Sequence, residues 1–273
     1  QQFSGLVLWQ TEAPFSAGAD LAQAVPVMLA GNFDAVADIV AKFQRTTAAL
    51  RYSAIPVVAA VQGLALGGGC EFLMHCDRVV AALESYIGLV EVGVGLIPAG
   101  GGCKEFALRA MTEAKGGELL PFLRPYFEAM AMAKVSRSAE EAQQFGYLKP
   151  SDVIVFNAHE LLYVAKVQAH ALAESGYRPP QPRPIRVAGR TGIAACQMVL
   201  INLRDGGFIS EHDYQISLQI AQALCGGDVD ANTLVDEAWL LGLERQGFVE
   251  LVKNPLTQAR IHQMLATGKP LRN

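Results

Sequence analysis

IPVVAAVQGLALGGGCEFLMHCDRVVAALESYIGLVEVGVGLIPAGGGC, residues 55–103, decides how the chain reads. Ile55 to Val61 is continuously apolar, the pattern of a strand in a sheet covered on both faces. Gly67-Gly68-Gly69 follows, and Glu71 comes directly behind it. A second carboxylate, Glu91, sits in another apolar run punctuated by glycines. An ionised carboxylate is costly to bury without partners, so its presence in such a run points to a use. Glycine lets another molecule approach the backbone, and a helix N-terminus aims N–H groups outward. Together these would form an acid–base site beside an anion hole. Each part also has an ordinary reading: a tight turn for the glycines, a helix-N-terminal side chain for Glu71, and a strand-end carboxylate paired with Arg78 or Arg109 for Glu91.

Working outward, Gly5 to Gln10 is apolar and β-prone, which predicts a strand. Thr11 to Asp20 is a turn-rich loop. After Phe15, its small residues Ser16-Ala17-Gly18-Ala19 precede a helix start that Asp20 can cap, with Pro26 limiting that helix. Phe33, Val36, Ala37, Val40 and Phe43 recur at helical spacing, predicting a helix over 33–50. A loop over 63–69, a short helix over 70–76 and strands at 79–82 and 86–89 come next. Helices are expected over 103–111 and 119–134. Ser138 to Glu141 has capping-box spacing, and a strand at 153–156 precedes a helix over 158–175. This alternation predicts an α/β class of stacked ββα or βαβ units. The proline-rich segment YRPPQPRPIRVAG, residues 177–189, predicts an extended connector. It divides an α/β core over 1–185 from a helical region over 186–273. There Ser210 caps one helix, and others are expected over 233–252 and 257–266.

The 273 residues are 51% hydrophobic and 18% charged, which supports a sizeable core. A net charge of −4 argues against a nucleic-acid partner. The odd set Cys70, Cys76, Cys103, Cys196 and Cys225 lacks a CxxC pair and reads as reduced, buried thiols of a cytoplasmic protein. Cys70, His75 and Cys76 have poor spacing for a metal site, and none is expected. No signal peptide or membrane span is visible, because Gln62, the glycines and Glu71 interrupt the longest apolar region. Gly93-Val94-Gly95 opens like a dinucleotide fingerprint, but Pro98 stands at its third glycine, so nicotinamide binding is not expected in this chain. GxSxG is absent, and His75 reads as structural. His159, His170, His212 and His262 read as surface or packing residues.

FSAGADL (15–21), IPVVAAVQGLALGGGCEF (55–72) and SYIGLVEVGVGLIPAGGG (85–102) closely resemble the crotonase, or enoyl-CoA hydratase, superfamily. Glu71 and Glu91 are 91 − 71 = 20 residues apart, as the two hydratase glutamates are. The resemblance covers roughly residues 3–175 and implies a crotonase-like fold with a helical C-terminal extension. It implies Ala19 and Gly68 N–H groups as an oxyanion hole for a thioester carbonyl, and Glu71 and Glu91 as the acid–base pair that adds water to an enoyl-CoA. Ala17, Gly67 and Ala99 match positions at the substrate and CoA. The implied substrate is an acyl-CoA thioester of fatty-acid β-oxidation. The helical remainder, with NPLTQARIHQMLATGKPLRN (254–273), resembles the end of bacterial proteins in which a 3-hydroxyacyl-CoA dehydrogenase region precedes a crotonase region. NAD is therefore expected only upstream, and the expected partners are a second copy of the chain or that dehydrogenase domain.

The sequence also departs from the family's pattern. Ala99 stands where the hydratases usually carry glycine, and Cys103-Lys104-Glu105 replaces their common Thr-Gln-Arg. The family's first strands and first CoA-contacting loop lie upstream of Gly5, so the chain reads as N-terminally truncated. Two other readings stay open: an enoyl-CoA isomerase working on Glu91 alone, and an acyl-CoA-binding or interface domain without catalysis.

Overall fold

The apolar runs of the sequence form a parallel sheet. The structure, a computed structural model, describes residues 3–273. Along the chain run β1 (Leu6–Trp9), α1 (Leu21–Leu29), α2 (Phe33–Arg51), β2 (Val57–Leu66), α3 (Gly68–His75) and β3 (Arg78–Gly88). A 3-10 turn, Glu91–Val94, leads to α4 (Gly102–Ala114), α5 (Leu120–Ala131), α6 (Ala139–Gln144), β4 (Val153–Val155) and α7 (Leu161–Glu174). Then come β5 (Ile185–Arg186), α8 (Gly189–Asp205), α9 (Glu211–Cys225), β6 (Leu234–Val235), α10 (Glu237–Lys253) and α11 (Pro255–Thr267). The chain divides into two units, one built from Gln1–Ala19, Arg45–Leu89 and Val135–Gln181, the other from Asp20–Gln44, Val90–Lys134 and Pro182–Asn273.

The first unit holds the sheet, ordered β1-β2-β3-β4 among the described residues, with parallel pairing throughout. Both faces of β2 are covered, as its unbroken apolar run requires: Val57, Val58, Ala59, Ala60 and Val61 are all buried. On one face Val58, Ala60, Val80, Ala82 and Val155 meet Leu161, Ala165 and Ala169 of α7. The small Ala165 and Ala169 let the helix lie close to the strands. Asp77, after α3, locks the return to the sheet: its Oδ2 accepts the Val57 N–H at 2.8 Å, and its own N–H donates to the Val57 carbonyl at 3.0 Å. Asp152 Oδ1 accepts the Val79 N–H at 2.8 Å at the start of β3.

The second unit is helical, with only the short antiparallel β5–β6 ladder among its described residues. Phe106, Phe127, Met130, Leu200, Ile216, Ile220, Leu224 and Leu240 are buried in it, and Phe106 stacks on Tyr126 with ring centroids 4.3 Å apart. Asp20 caps α1 through Ala22 N–H, and Ser210 and Asp213 form a reciprocal capping box on α9. All five cysteines are buried, and none is in a disulfide. Among the described residues, no helix is long and apolar enough to cross a membrane.

Three local expectations are corrected. β2 runs on past Val61 to Leu66, because the ladder to β3 resumes after an irregularity between Val61 and Gly63. The strands expected at 79–82 and 86–89 are one strand, joined where the Ser85 hydroxyl donates to the Ala82 carbonyl at 2.7 Å. The helix expected from Thr233 starts at Glu237, because Asp236 caps it and Leu234–Val235 pairs with β5.

Close packing under α7 makes a stability prediction. Ala165→Leu should force α7 off the sheet and lower unfolding stability by about 1–3 kcal/mol. A urea midpoint equal to that of the wild type would contradict this packing.

Candidate active site

The first unit gathers Ala17, Ala19, Gly67, Gly68 and Glu71; the second holds Glu91 and Ala99. In the first unit the loop after β1 is drawn along the end of β2. The Phe15 N–H donates to the Gln62 carbonyl at 3.1 Å, the Ser16 N–H to the Leu64 carbonyl at 3.0 Å, and the Leu66 N–H to the Ser16 carbonyl at 3.0 Å. Ser16 and Ala65 form a parallel bridge, so 17–19 and 66–68 leave it side by side. Ser16 Oγ also accepts the Gly18 N–H at 3.2 Å, which tightens the loop.

This approach depends on Gly69. A Cβ at residue 69 would lie 2.5 Å from Ser16 Cβ and 2.6 Å from its Oγ. The buried Gly67 is the N-cap of α3 and offers no side-chain cap, so the first N–H groups of the helix are left for other partners. Among the described residues, neither the Ala19 nor the Gly68 N–H donates to a backbone carbonyl. Ala17 and Ala19 are exposed, and Gly68 is half-buried.

Glu71 lies in the first turn of α3, where the helix dipole favours a carboxylate, and only 2% of it is exposed. The carbonyl of Glu71 accepts from His75 Nδ1 at 2.7 Å. A carbonyl can only accept, so Nδ1 carries the proton and His75 braces the helix. Burial pushes the Cys76 thiol up to about 12, with Asp77 and Asp152 adding to the rise and Lys149 opposing it. Cys76 is therefore a neutral thiol at neutral pH, neither nucleophile nor thiolate ligand.

In the second unit Glu91 begins the 3-10 turn and is half-buried. The Gly93 N–H closes that turn on the Val90 carbonyl at 2.9 Å, the Gly95 N–H on Val92 at 3.0 Å, and the Leu96 N–H on Glu91 at 3.0 Å. Ala99 is buried, and its carbonyl accepts from Gln44 Nε2 at 2.9 Å. Gln44 Oε1 in turn accepts from Arg245 Nη1 at 2.9 Å. Glu244, fully buried, caps α4 from α10: its two oxygens accept the Gly101 and Lys104 N–H groups at 2.8 Å each. Sequence reading missed Gln44, Glu244 and Arg245. Their residue types suit a solvated helix face, and nothing local marks the burial of Gln44 and Glu244 or the partner that Arg245 finds.

The fold is the crotonase fold: a solved enoyl-CoA hydratase from Bacillus halodurans superposes with a TM-score of 0.57 at 18% identity, over 94% of this chain and 80% of that one. Residues 1–149 match the family model described as enoyl-CoA hydratase/isomerase, and the chain belongs to that family. Among curated relatives, a "Probable 3-hydroxyacyl-CoA dehydrogenase" of Bacillus subtilis (strain 168) is 42% identical over 273 residues, all of this chain and 34% of the relative. A "Peroxisomal fatty acid beta-oxidation multifunctional protein" of Oryza sativa subsp. japonica is 26% identical over 269 residues, 96% of this chain and 33% of the relative. The chain thus spans about a third of the length of these relatives.

The Gly69–Ser16 approach generates a coupled prediction. Gly69→Ala should cost about 1–3 kcal/mol of stability through overpacking. Adding Ser16→Gly should recover part of that cost, giving a favourable coupling in a double-mutant cycle. Strictly additive unfolding energies would show that the two residues do not meet.

Proposed function

We propose that the chain hydrates trans-2-enoyl-CoA to 3-hydroxyacyl-CoA, reversibly, as the crotonase part of a longer fatty-acid β-oxidation polypeptide. The observation that carries this reading is the pairing of the Phe15–Ala19 loop with the end of β2, beside the buried Glu71. It leaves the Ala19 and Gly68 N–H groups without backbone acceptors. In the proposed reaction these two donors hold the thioester oxygen as it gains negative charge, each contributing about 3 kcal/mol to the transition state. Glu71 and Glu91 act on the water that adds to the β-carbon and on the proton delivered to the α-carbon. By resemblance, Ala17, Gly67 and Ala99 are each assigned to contact with the acyl-CoA. The Bacillus subtilis relative's name supports placing a 3-hydroxyacyl-CoA dehydrogenase, with its NAD, elsewhere in the same polypeptide, where it would oxidise the product alcohol.

Glu71→Gln and Glu91→Gln should each lower kcat for crotonyl-CoA hydration by about 10²–10⁴-fold while the thermal unfolding midpoint stays near that of the wild type. Hydration at the wild-type rate in either variant would overturn the assignment. A wild type that isomerises 3-enoyl-CoA without hydrating crotonyl-CoA, and keeps that activity in Glu71→Gln, would instead mark the single-glutamate isomerase.

A further inference from the structure

Behind the Glu91 turn, within the same unit, lies a buried polar set that the proposed reaction does not touch. Arg260 of α11 is 1% exposed. Its Nη1 donates to the Val92 carbonyl at 3.0 Å and to Asp213 Oδ1 at 2.7 Å, and its Nε donates to Asn273 Oδ1 at 2.8 Å. Thr257, one turn earlier in α11 and fully buried, donates its hydroxyl to the Gly95 carbonyl at 2.9 Å. That hydroxyl lies 3.0 Å from Nε2 of His212, which is itself buried. Because the Gly95 carbonyl can only accept, the Thr257 proton is committed to it, and His212 must donate through Nε2. The backbones meet closely here: a Cβ at residue 95 would lie 2.9 Å from both Thr257 Cα and Thr257 Oγ1.

A short 3-10 turn has poor hydrogen-bond geometry and does not fix its own orientation. This one, Glu91–Val94, is gripped at the Val92 carbonyl by Arg260 and, at the Gly95 that caps it, by Thr257. Apolar side chains of similar volume could fill the same space but would leave those buried carbonyls without donors. Directional donors aimed at the turn's carbonyls instead set where its first residue points.

We propose that Thr257, with Arg260, Asp213 and His212 behind it, is a positioning residue that holds Glu91 in its working orientation. This inference rests on the reading of Glu91 as part of the acid–base pair.

The test compares Thr257→Val, which is isosteric but lacks the hydroxyl, with Thr257→Ser, which restores it. Two measurements are made on the purified protein: crotonyl-CoA hydration kinetics, and hydrogen exchange at the amides of Gly93, Gly95 and Leu96. Thr257→Val should lower kcat by about ten- to a hundred-fold with KM within about two-fold, as expected when a reacting group is displaced by about an ångström. Exchange at the three amides should rise more than exchange across the sheet, and Thr257→Ser should return both readouts towards wild type. If Val is not tolerated, Thr257→Ala removes the same hydroxyl without setting a methyl against the Gly95 carbonyl. Unchanged exchange at the turn, or a kcat within about two-fold of wild type, overturns the inference. So does a loss that follows global unfolding and is not restored by serine. The exchange readout needs no substrate. Absence of Glu91-dependent hydration in the wild type would therefore sink the functional reading while exchange still shows whether Thr257 fixes the turn.

Discussion

The absence of a side chain at residue 69 is the constraint on which the proposed oxyanion site depends. Ser16 occupies the space that a Cβ there would need, and so the Phe15–Ala19 loop can pair with the end of β2. Without that pairing, nothing would hold the exposed Ala19 near the start of α3. With it, two backbone donors come from segments far apart in sequence, and neither needs a side chain. Backbone N–H groups suit a developing oxyanion because the fold has already fixed them before any charge appears.

A different device holds the part of the chain that carries Glu91 and Ala99. The turn and loops from Val90 to Gly102 have little regular structure of their own, and the C-terminal helices supply what they lack. Glu244 caps α4, Gln44 holds the Ala99 carbonyl, and Arg260 and Thr257 hold Val92 and Gly95. Each of these side chains is buried, so each would be costly with its partner removed. The reciprocal satisfaction of buried carbonyls and buried side chains ties an irregular segment to rigid helices. The departures of this chain from the hydratase pattern, Ala99 and Cys103-Lys104-Glu105, fall within or beside this braced segment. There Lys104 Nζ meets Glu105 Oε1 at 2.6 Å and Glu237 Oε2 at 3.5 Å.

Most of the sheet could be read from the chain itself. The run 55–61 is apolar, and from Val57 to Val61 it is buried on both faces, and the caps at Asp20, Ser138 and Ser210 sit where the sequence places them. Hydrophobic period and capping chemistry are local, so a single sequence displays them. The extension of β2 through Gln62 and Gly63 was not visible, because it depends on a register that only the neighbouring strand supplies. His212 shows the same limit from another side: it reads as a surface or packing residue, and it proves to be a packing one, but its partner is a threonine of a distant helix that no local signal names. Arg260 stands in QARIHQ, a polar stretch that looks solvated, yet it is among the most buried side chains. Its partners Asp213 and Val92 come from elsewhere in the chain, and no spacing announces them. Local signals thus mark Glu71, Glu91 and the glycines, while the groups that hold the Glu91 segment in place emerge only from the fold.

The central claim is that this chain activates an enoyl thioester for addition of water. Incubation with crotonyl-CoA in ¹⁸O-labelled water, followed by absorbance and product mass, tests it most directly. The account predicts loss of the conjugated-thioester absorbance and a 3-hydroxyacyl-CoA carrying the heavy oxygen. Binding of crotonyl-CoA with unchanged absorbance and no labelled product would contradict it.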